Sequence, residues 1–402
     1  MRRVAIVGVG ATRFKARWPE KTYFELAYDA VAEALQHARI QKDTISSVVY
    51  GIYNELFQRQ FMPELFVHDY LGLNLAPGTR VAGGGATGGF AVRTGFMEVA
   101  SGMHDVVLVV GVEKCMDCFD YRRGSATPEV LRSIAYSIDM TYEYPLGAFA
   151  AAEYALPTVA HMEKFGSPTE RQMALVAVKN HRNAKRNPRA QSPMDLTVDD
   201  VLKSRMICYP FKFYDNCLYS EGAAAVILAA DGVAQEITDR PVWITGVGAA
   251  TDRAFPGFKD GRKSNIWEFT SSRIAAEQAY RMAGITDPRR ELNLIEFHDA
   301  FSAAEILSYE AFGLCPPGEG GRLLEEGVTE VDGELPCNAS GGLIGCGHAV
   351  GATGIFQTGE LVLQLREEAE GRQVRNARRG AVQSIGGVAC ANTVAMILER
   401  ER

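Results

Sequence analysis

Two histidines in this chain stand where fixed hydrogen-bonding groups could surround a small ligand. His348 lies in the turn Gly345-Cys-Gly-His-Ala-Val-Gly351, flanked by Gly347 and Gly351. Glycines lack a Cβ and let the backbone approach a ligand closely. His298 opens His298-Asp-Ala-Phe301, directly after the apolar stretch Leu294-Ile-Glu-Phe297. An imidazole titrates near neutrality, so either ring can donate, accept or relay a proton. Each histidine also has a plainer reading. His348 fits a loop residue satisfied by backbone, and His298 one that caps or packs at a helix start. Asp299 reads as a helix cap, and Glu305 as a partner of a catalytic group or part of a solvated helix face.

The other reactive side chains are thiols. Cys346 stands two residues before His348, and a neighbouring imidazole favours a thiolate. Cys390 follows Gly386-Gly387, and Cys115 and Cys118 follow the apolar run 106–112. A free cysteine is often no more than a small buried hydrophobe. Cys115-Met-Asp-Cys118 has the spacing of a metal-binding pair but no second pair, so no metal is expected. Eight cysteines scattered over 402 residues read as free thiols of a reducing compartment.

The elements that must position these groups occur twice. Val4-Ala-Ile-Val-Gly-Val-Gly-Ala-Thr12 recurs as Val242-Trp-Ile-Thr-Gly-Val-Gly-Ala-Ala-Thr251. Each copy is followed by apolar residues at helical spacing, near 23–35 and 272–284, and then by a short strand, 45–51 and 292–297. Each half then has a glycine-rich turn into a helix, Gly83 to Gly102 and Gly341 to Leu365, and ends in an apolar strand, 223–229 and 392–398. Strands alternating with helices predict parallel βαβ sheets. A period near 240 residues is too long for a solenoid and points to duplication of a whole domain. The predicted halves are residues 1–235 and 236–402, and the first carries an inserted helical and loop region at about 120–215.

Composition narrows the function. A chain 47% hydrophobic and 23% charged can bury a large core. A net charge of -7 argues against a general nucleic-acid binder. No apolar run is long enough to span a bilayer. Met1-Arg-Arg-Val-Ala-Ile-Val enters a strand with no cleavage site after it, so the cytoplasm is the expected compartment. The run Gly83-Gly-Gly85 is reminiscent of a phosphate cradle but lacks the Lys-Ser/Thr of a P-loop and the spacing of a dinucleotide fingerprint.

Taken together, these motifs resemble the thiolase superfamily over nearly the whole chain, in particular its sterol-carrier-protein-type and archaeal branch. The resemblance is carried by 81–102, by His298-Asp-Ala-Phe-Ser-Ala-Ala-Glu305 with Tyr309-Glu-Ala-Phe-Gly-Leu-Cys315, by Asn338-Ala-Ser-Gly-Gly-Leu343 and by Gly347-His-Ala-Val-Gly-Ala-Thr-Gly354. It implies an α/β thiolase fold, with two duplicated halves in a five-layered αβαβα arrangement. It also implies site roles. Counting back from Ala100-Ser-Gly102, Gly85 takes the slot of the nucleophilic cysteine. His348 donates to a thioester oxygen and His298 completes the same oxyanion hole. Gly386 offers a second hole together with the Gly85 N–H. The second cysteine of the family falls at Ala300 or at Ser384, and neither position holds a thiol.

The leading expectation from this resemblance is thiolytic retro-Claisen cleavage of a β-ketoacyl-CoA, with a bulky or aromatic acyl group. Free CoA, or a displaced thiol such as Cys346, would replace the missing cysteine. The alternatives are retro-aldol cleavage of a β-hydroxyacyl-CoA and a non-catalytic acyl-CoA-binding scaffold. Cys-less side-chain aldolases of the superfamily carry tyrosines where this chain keeps His298 and His348. Coenzyme A enters as a substrate with no resident cofactor. Its expected contacts are Lys179, His181, Arg182, Lys185 and Arg186, although a charge run is usually a solvated face. The branch also implies a homodimeric core that carries a small subunit made of an OB fold and a zinc ribbon.

Overall fold

The computed structural model describes residues 1–118, 134, 136–259 and 261–401, with only the backbone of 117 and 118. Most of 120–135 in the predicted insertion, and the side chain of Cys118, therefore lie outside the described residues. The elements that matter here are β1 (Val4–Ala11), α1 (Tyr23–Ala38), β2 (Ser47–Gly51), β3 (Gly78–Val81), α2 (Thr87–Ser101), β4 (Val106–Glu113), α3 (Ala150–Phe165) and α4 (Glu170–Ala184). They continue with β5 (Met206–Cys208), β6 (Phe211–Lys212), β7 (Gly222–Ala230), β8 (Val242–Thr251), α5 (Thr270–Ala283), β9 (Leu294–Glu296), α6 (Ser302–Ala311), α7 (Val350–Leu365), β10 (Arg379–Gly386) and β11 (Asn392–Arg400).

Nine strands follow one another in the order β3-β2-β4-β7-β1-β8-β11-β10-β9, and β5 pairs with β6 apart from them. The two halves meet where β1 touches β8 through Ala5, Ile6, Trp243 and Val242. The order β3-β2-β4-β7-β1 is mirrored by β9-β10-β11-β8, so the duplication read from sequence is a duplication of topology. The counterpart of β3 shrinks to a single bridge between Ile295 and Cys337. The expected parallel sheets are in fact mixed. β2 runs parallel to β3 and β4, and β9 to β10, but β7 and β11 run antiparallel to their neighbours. The short turn 387–391 between β10 and β11 forces that direction, because a tight connection can join only antiparallel strands.

The helices α2 and α7 are the inner layer. Their apolar residues (Ala91, Val92, Phe96, Val99, Ile355, Phe356, Val362) share one core with the strands of both halves. The two helices approach so closely at Gly88 that a Cβ there would lie 2.7 Å from the Gly354 nitrogen. Outside, α1 covers β1 and β7, while α5 covers β8 and β11. These five layers fix the N-termini of α2 and α7, and with them the turns that hold Gly85 and His348. Helix α4 of the insertion packs on α6, the helix that follows the His298 motif. No helix among the described residues is long and apolar enough to cross a membrane.

Candidate active site

The two histidine motifs and the glycine turn meet at one cavity of about 380 Å³. Its wall includes Gly84, Gly85, His298, Ala300, His348 and Gly386, together with residues of the insertion. The imidazoles of His298 and His348 stand edge to face, their ring centres 5.1 Å apart and their planes at 88°. Both are buried. Burial disfavours the charged imidazolium, so the pKa of His348 falls to about 4 and that of His298 falls well below the usual value, with His348 adding to the effect. Two neutral rings therefore face the cavity at physiological pH.

His348 is held at both ends. Its backbone N–H donates to Ser220 Oγ at 2.8 Å, and Thr353 Oγ1 lies 2.8 Å from its Nδ1. The same hydroxyl is 3.0 Å from the Ala349 carbonyl. That carbonyl already accepts the Ala352 and Thr353 N–H groups, so it loses little if the hydroxyl turns away. Thr353 can then donate to Nδ1 and leave the imidazole proton on Nε2. This makes His348 a neutral donor, the form suited to an oxygen that gains negative charge. The backbone N–H of His298 donates to Gln383 Oε1 at 3.3 Å, and its ring Nδ1 is buried with no partner.

Gly85 has no room for a side chain. A Cβ built there would sit 2.5 Å from the Ile385 carbonyl and 3.0 Å from His298 Nε2. The backbone of Gly386 lies against the same turn, where its own Cβ would be 2.6 Å from the Gly85 nitrogen. Glycine is needed at both positions because backbone packs on backbone. The ring of His298 takes up space beside the position where a thiol would begin.

Several expected site residues lie elsewhere. Cys346 is buried away from the cavity, where its thiol donates to the Ser340 carbonyl at 2.9 Å and accepts from Asn187 Nδ2. Burial and the nearby Glu360 and Glu296 push its pKa well up, which reverses the expected thiolate. Ser384 lodges between Gly89 and Gly354, beneath the inner helices, and does not line the cavity. Cys390 is also buried, its pKa pushed up to about 12. Among the described residues the cavity wall carries one thiol, Cys217, which sequence reasoning passed over. Burial, with Asp299 nearby, raises its pKa to about 12, so it too stays protonated.

The basic stretch is split between core and surface: Lys179 and His181 are buried, and Arg182, Lys185 and Arg186 are exposed. Lys179 is 1% exposed and pairs with Glu305, which also takes the Tyr309 hydroxyl. A lysine ion-paired in the core cannot reach a phosphate in solvent. His181 is buried, with Nδ1 bonded to the Ser192 carbonyl. Arg182 pairs with Glu330 and Lys185 with Asp195. The expected coenzyme A contacts are thus corrected for Lys179 and His181, and Arg182 and Lys185 each already have a carboxylate. Glu305 is likewise no solvated residue. Asp299 caps a neighbouring helix rather than its own: its carboxylate accepts the N–H groups of Leu343 and Ile344 at 2.6 and 3.3 Å. It thereby anchors the segment that runs into His348.

The insertion supplies much of the rest of the wall. Tyr154 and Glu153 lie on α3. Glu153 is 4% exposed, and its Oε2 accepts the Ala389 N–H at 3.0 Å. Nothing in Ala150-Ala-Ala-Glu-Tyr-Ala155 marks this carboxylate, which only tertiary packing brings to the Gly387 turn.

Comparison with known proteins gives the family. Residues 4–198 match the thiolase N-terminal domain and residues 259–400 the thiolase C-terminal domain-like family. The chain belongs to the thiolase family. It is 39% identical over 388 residues to an acetyl-CoA acetyltransferase of Methanothermobacter thermautotrophicus, covering 96% of this chain and 97% of that one. It is 28% identical to the benzoylsuccinyl-CoA thiolase subunit BbsB of Thauera aromatica, covering 97% and 96%. Among solved structures, the Ltp2-ChsH2(DUF35) aldolase superposes with a TM-score of 0.83 at 24% identity, over 100% of this chain and 98% of that one.

Proposed function

We propose that this protein breaks, or in reverse forms, the bond between the α and β carbons of an acyl-CoA through a thioester enolate, without an acyl-enzyme. The observation that carries this reading is the closed space at Gly85 beside two neutral histidines. The cavity keeps donors for an enolate oxygen, while the described thiols near it are protonated or turned away. Retro-aldol cleavage of a β-hydroxyacyl-CoA needs only such donors and a base. It is therefore the reaction this site supports best. Direct thiolysis of a β-ketoacyl-CoA by free CoA is the second reading, favoured by the acetyltransferase relative. A wall with Phe149, Tyr154 and Phe301 suits a bulky or aromatic acyl group.

Coenzyme A has a route to this cavity other than the basic stretch. A surface groove of about 660 Å³ is lined by Asp195, Asp200, Lys203, Ser204, Arg205 and Tyr214, and it shares Arg205 and Phe213 with the cavity wall. Arg205 is exposed and suits a phosphate.

Incubating the protein with β-hydroxyacyl- and β-ketoacyl-CoA thioesters, with and without free CoA, tests the reaction. The expected result is release of an aldehyde or ketone without added CoA, and no mass adduct on the intact protein. A strict need for CoA moves the assignment to direct thiolysis. A stable acyl adduct on Cys217 or Cys346 sinks both readings.

The assembly expected from the branch is a homodimeric core with a small OB-fold/zinc-ribbon subunit. The BbsB relative is a subunit, and the aldolase neighbour is a complex with a DUF35 protein. Size-exclusion chromatography with mass determination of natively purified protein should show a dimer carrying a second, smaller chain. A monomer that is fully active alone counts against it.

A further inference from the structure

Among the described residues, two buried polar atoms of the cavity wall have no hydrogen-bond partner: His298 Nδ1 and Glu153 Oε1. A buried carboxylate oxygen left unpaired costs free energy unless something else satisfies it. The other oxygen of Glu153 is fixed by the Ala389 N–H, and the Ala389 carbonyl in turn accepts from Lys259 Nζ at 2.9 Å. Ala389 and its neighbour Cys390 both adopt left-handed backbone, with φ of 49° and 56°. Non-glycine residues hold that conformation only where their surroundings impose it. The strained turn therefore holds one edge of the carboxylate and leaves the other without a partner in the cavity wall.

We propose that Glu153 carries the proton between the β-oxygen and the α-carbon of the acyl group in this cavity. The inference rests on the enolate reading above and adds its missing acid and base. As a carboxylate, Glu153 takes the β-hydroxyl proton. The O–H electron pair becomes the carbonyl π bond, the Cα–Cβ bond breaks, and its pair passes to the thioester as an enolate. The carboxylic acid then returns the same proton to Cα. The cycle ends with an aldehyde or ketone and a shortened acyl-CoA, with no net proton and no other reagent.

The division of labour follows from the environments. His348, with its pKa near 4, is too weak a base to hold a proton at neutral pH and serves as a donor. Burial raises the carboxyl of Glu153 to about 7, with Glu143 adding to the rise and the Ala389 N–H and Lys259 opposing it. Lys259 is itself paired with Asp252. The other titratable groups around the carboxyl are the protonated Cys390 thiol, Tyr154 on the same helix and the neutral cavity histidines. General acid–base catalysis is most efficient when the group titrates near the working pH.

The test uses the reverse half of the cycle, removal of an α-proton from a product thioester. Acetyl-CoA and propionyl-CoA are incubated with the protein in D2O, and deuterium at Cα is followed by NMR. Wild type should exchange, with a rate that rises with pH through about 7 as the carboxylate forms. Glu153→Gln should keep the Ala389 bond and the half-saturating thioester concentration. It should exchange at least about 10²-fold more slowly and lose the step near pH 7. Glu153→Asp keeps the acid but withdraws it by one methylene, so it should also slow exchange. It supplies the measurement if the Gln variant proves unfolded by circular dichroism. Exchange by both variants within a few-fold of wild type overturns the role of Glu153 and leaves the enolate reading standing. Wild type that binds both thioesters by calorimetry yet exchanges neither overturns the enolate reading, and the role of Glu153 with it.

Discussion

Replacing His348 by alanine should slow carbon–carbon cleavage by about 10²–10³-fold, the usual loss for one donor of an oxyanion site, while the protein stays folded. The ring is neutral because burial lowers its pKa to about 4, and Thr353 steadies its Nδ1. Its contribution is therefore a fixed neutral dipole rather than a proton that comes and goes. From this it follows that the variant should lose rate about equally at pH 6 and pH 8, since His348 is uncharged at both. His348 is buried, and a fixed donor in such surroundings counts for more than one in bulk water. Single-turnover cleavage at the two pH values, with a thermal melt as control, checks this. Activity within a few-fold of the parent would remove His348 from the reaction. A loss confined to one side of neutrality would mean that the ring works as an acid or base instead.

The parts of this site legible in the sequence were those set by local backbone chemistry. The glycines at 83–85, 347 and 386 mark places where backbone must approach backbone, and resemblance to the family's motifs is what singled out the three turns and both histidines. The fold was legible for a related reason: strand, helix and turn recur in the same order in each half. What sequence could not show depends on which way a side chain points after packing. Cys346 is two residues from His348, but Gly347, with φ of 101°, turns the chain so that the thiol faces Ser340. Ser384 and Gly386 lie on one face of β10, but about 6.5 Å apart along the strand. The serine ends beneath the inner helices and the glycine at the cavity. Lys179 sits in a charged run, yet on α4 it shares the buried face with Val176, Asn180 and Asn183. Its positive charge serves the buried Glu305 rather than a ligand. Glu153 carries no local mark, because its neighbours at Ala389 and Lys259 are more than 100 residues away in the chain.

Restoring the family's cysteine by Gly85→Cys should not restore an acyl-enzyme and should impair the protein. The new Cβ would meet the Ile385 carbonyl at 2.5 Å, and that atom belongs to the sheet backbone and cannot swing aside. Overpacking of this kind costs about 1–3 kcal/mol. The turn must shift to relieve it, and the Gly85 N–H and the ring of His298 shift with it. Misplacement of site groups by about 1 Å is enough to cost about 10²-fold in rate. The expected result is a lower melting temperature, a cleavage rate down by about that factor, and slow labelling of the introduced thiol by iodoacetamide. Adding His298→Ala removes the ring that lies 3.0 Å from the new Cβ and should speed labelling. It should recover only part of the stability, because the Ile385 carbonyl remains. Labelling of both variants, followed by peptide mass spectrometry and melting curves, decides the matter. If Gly85→Cys alone melts like the parent and is alkylated quickly, the turn has slack, and the absence of a nucleophile at position 85 no longer follows from close backbone packing.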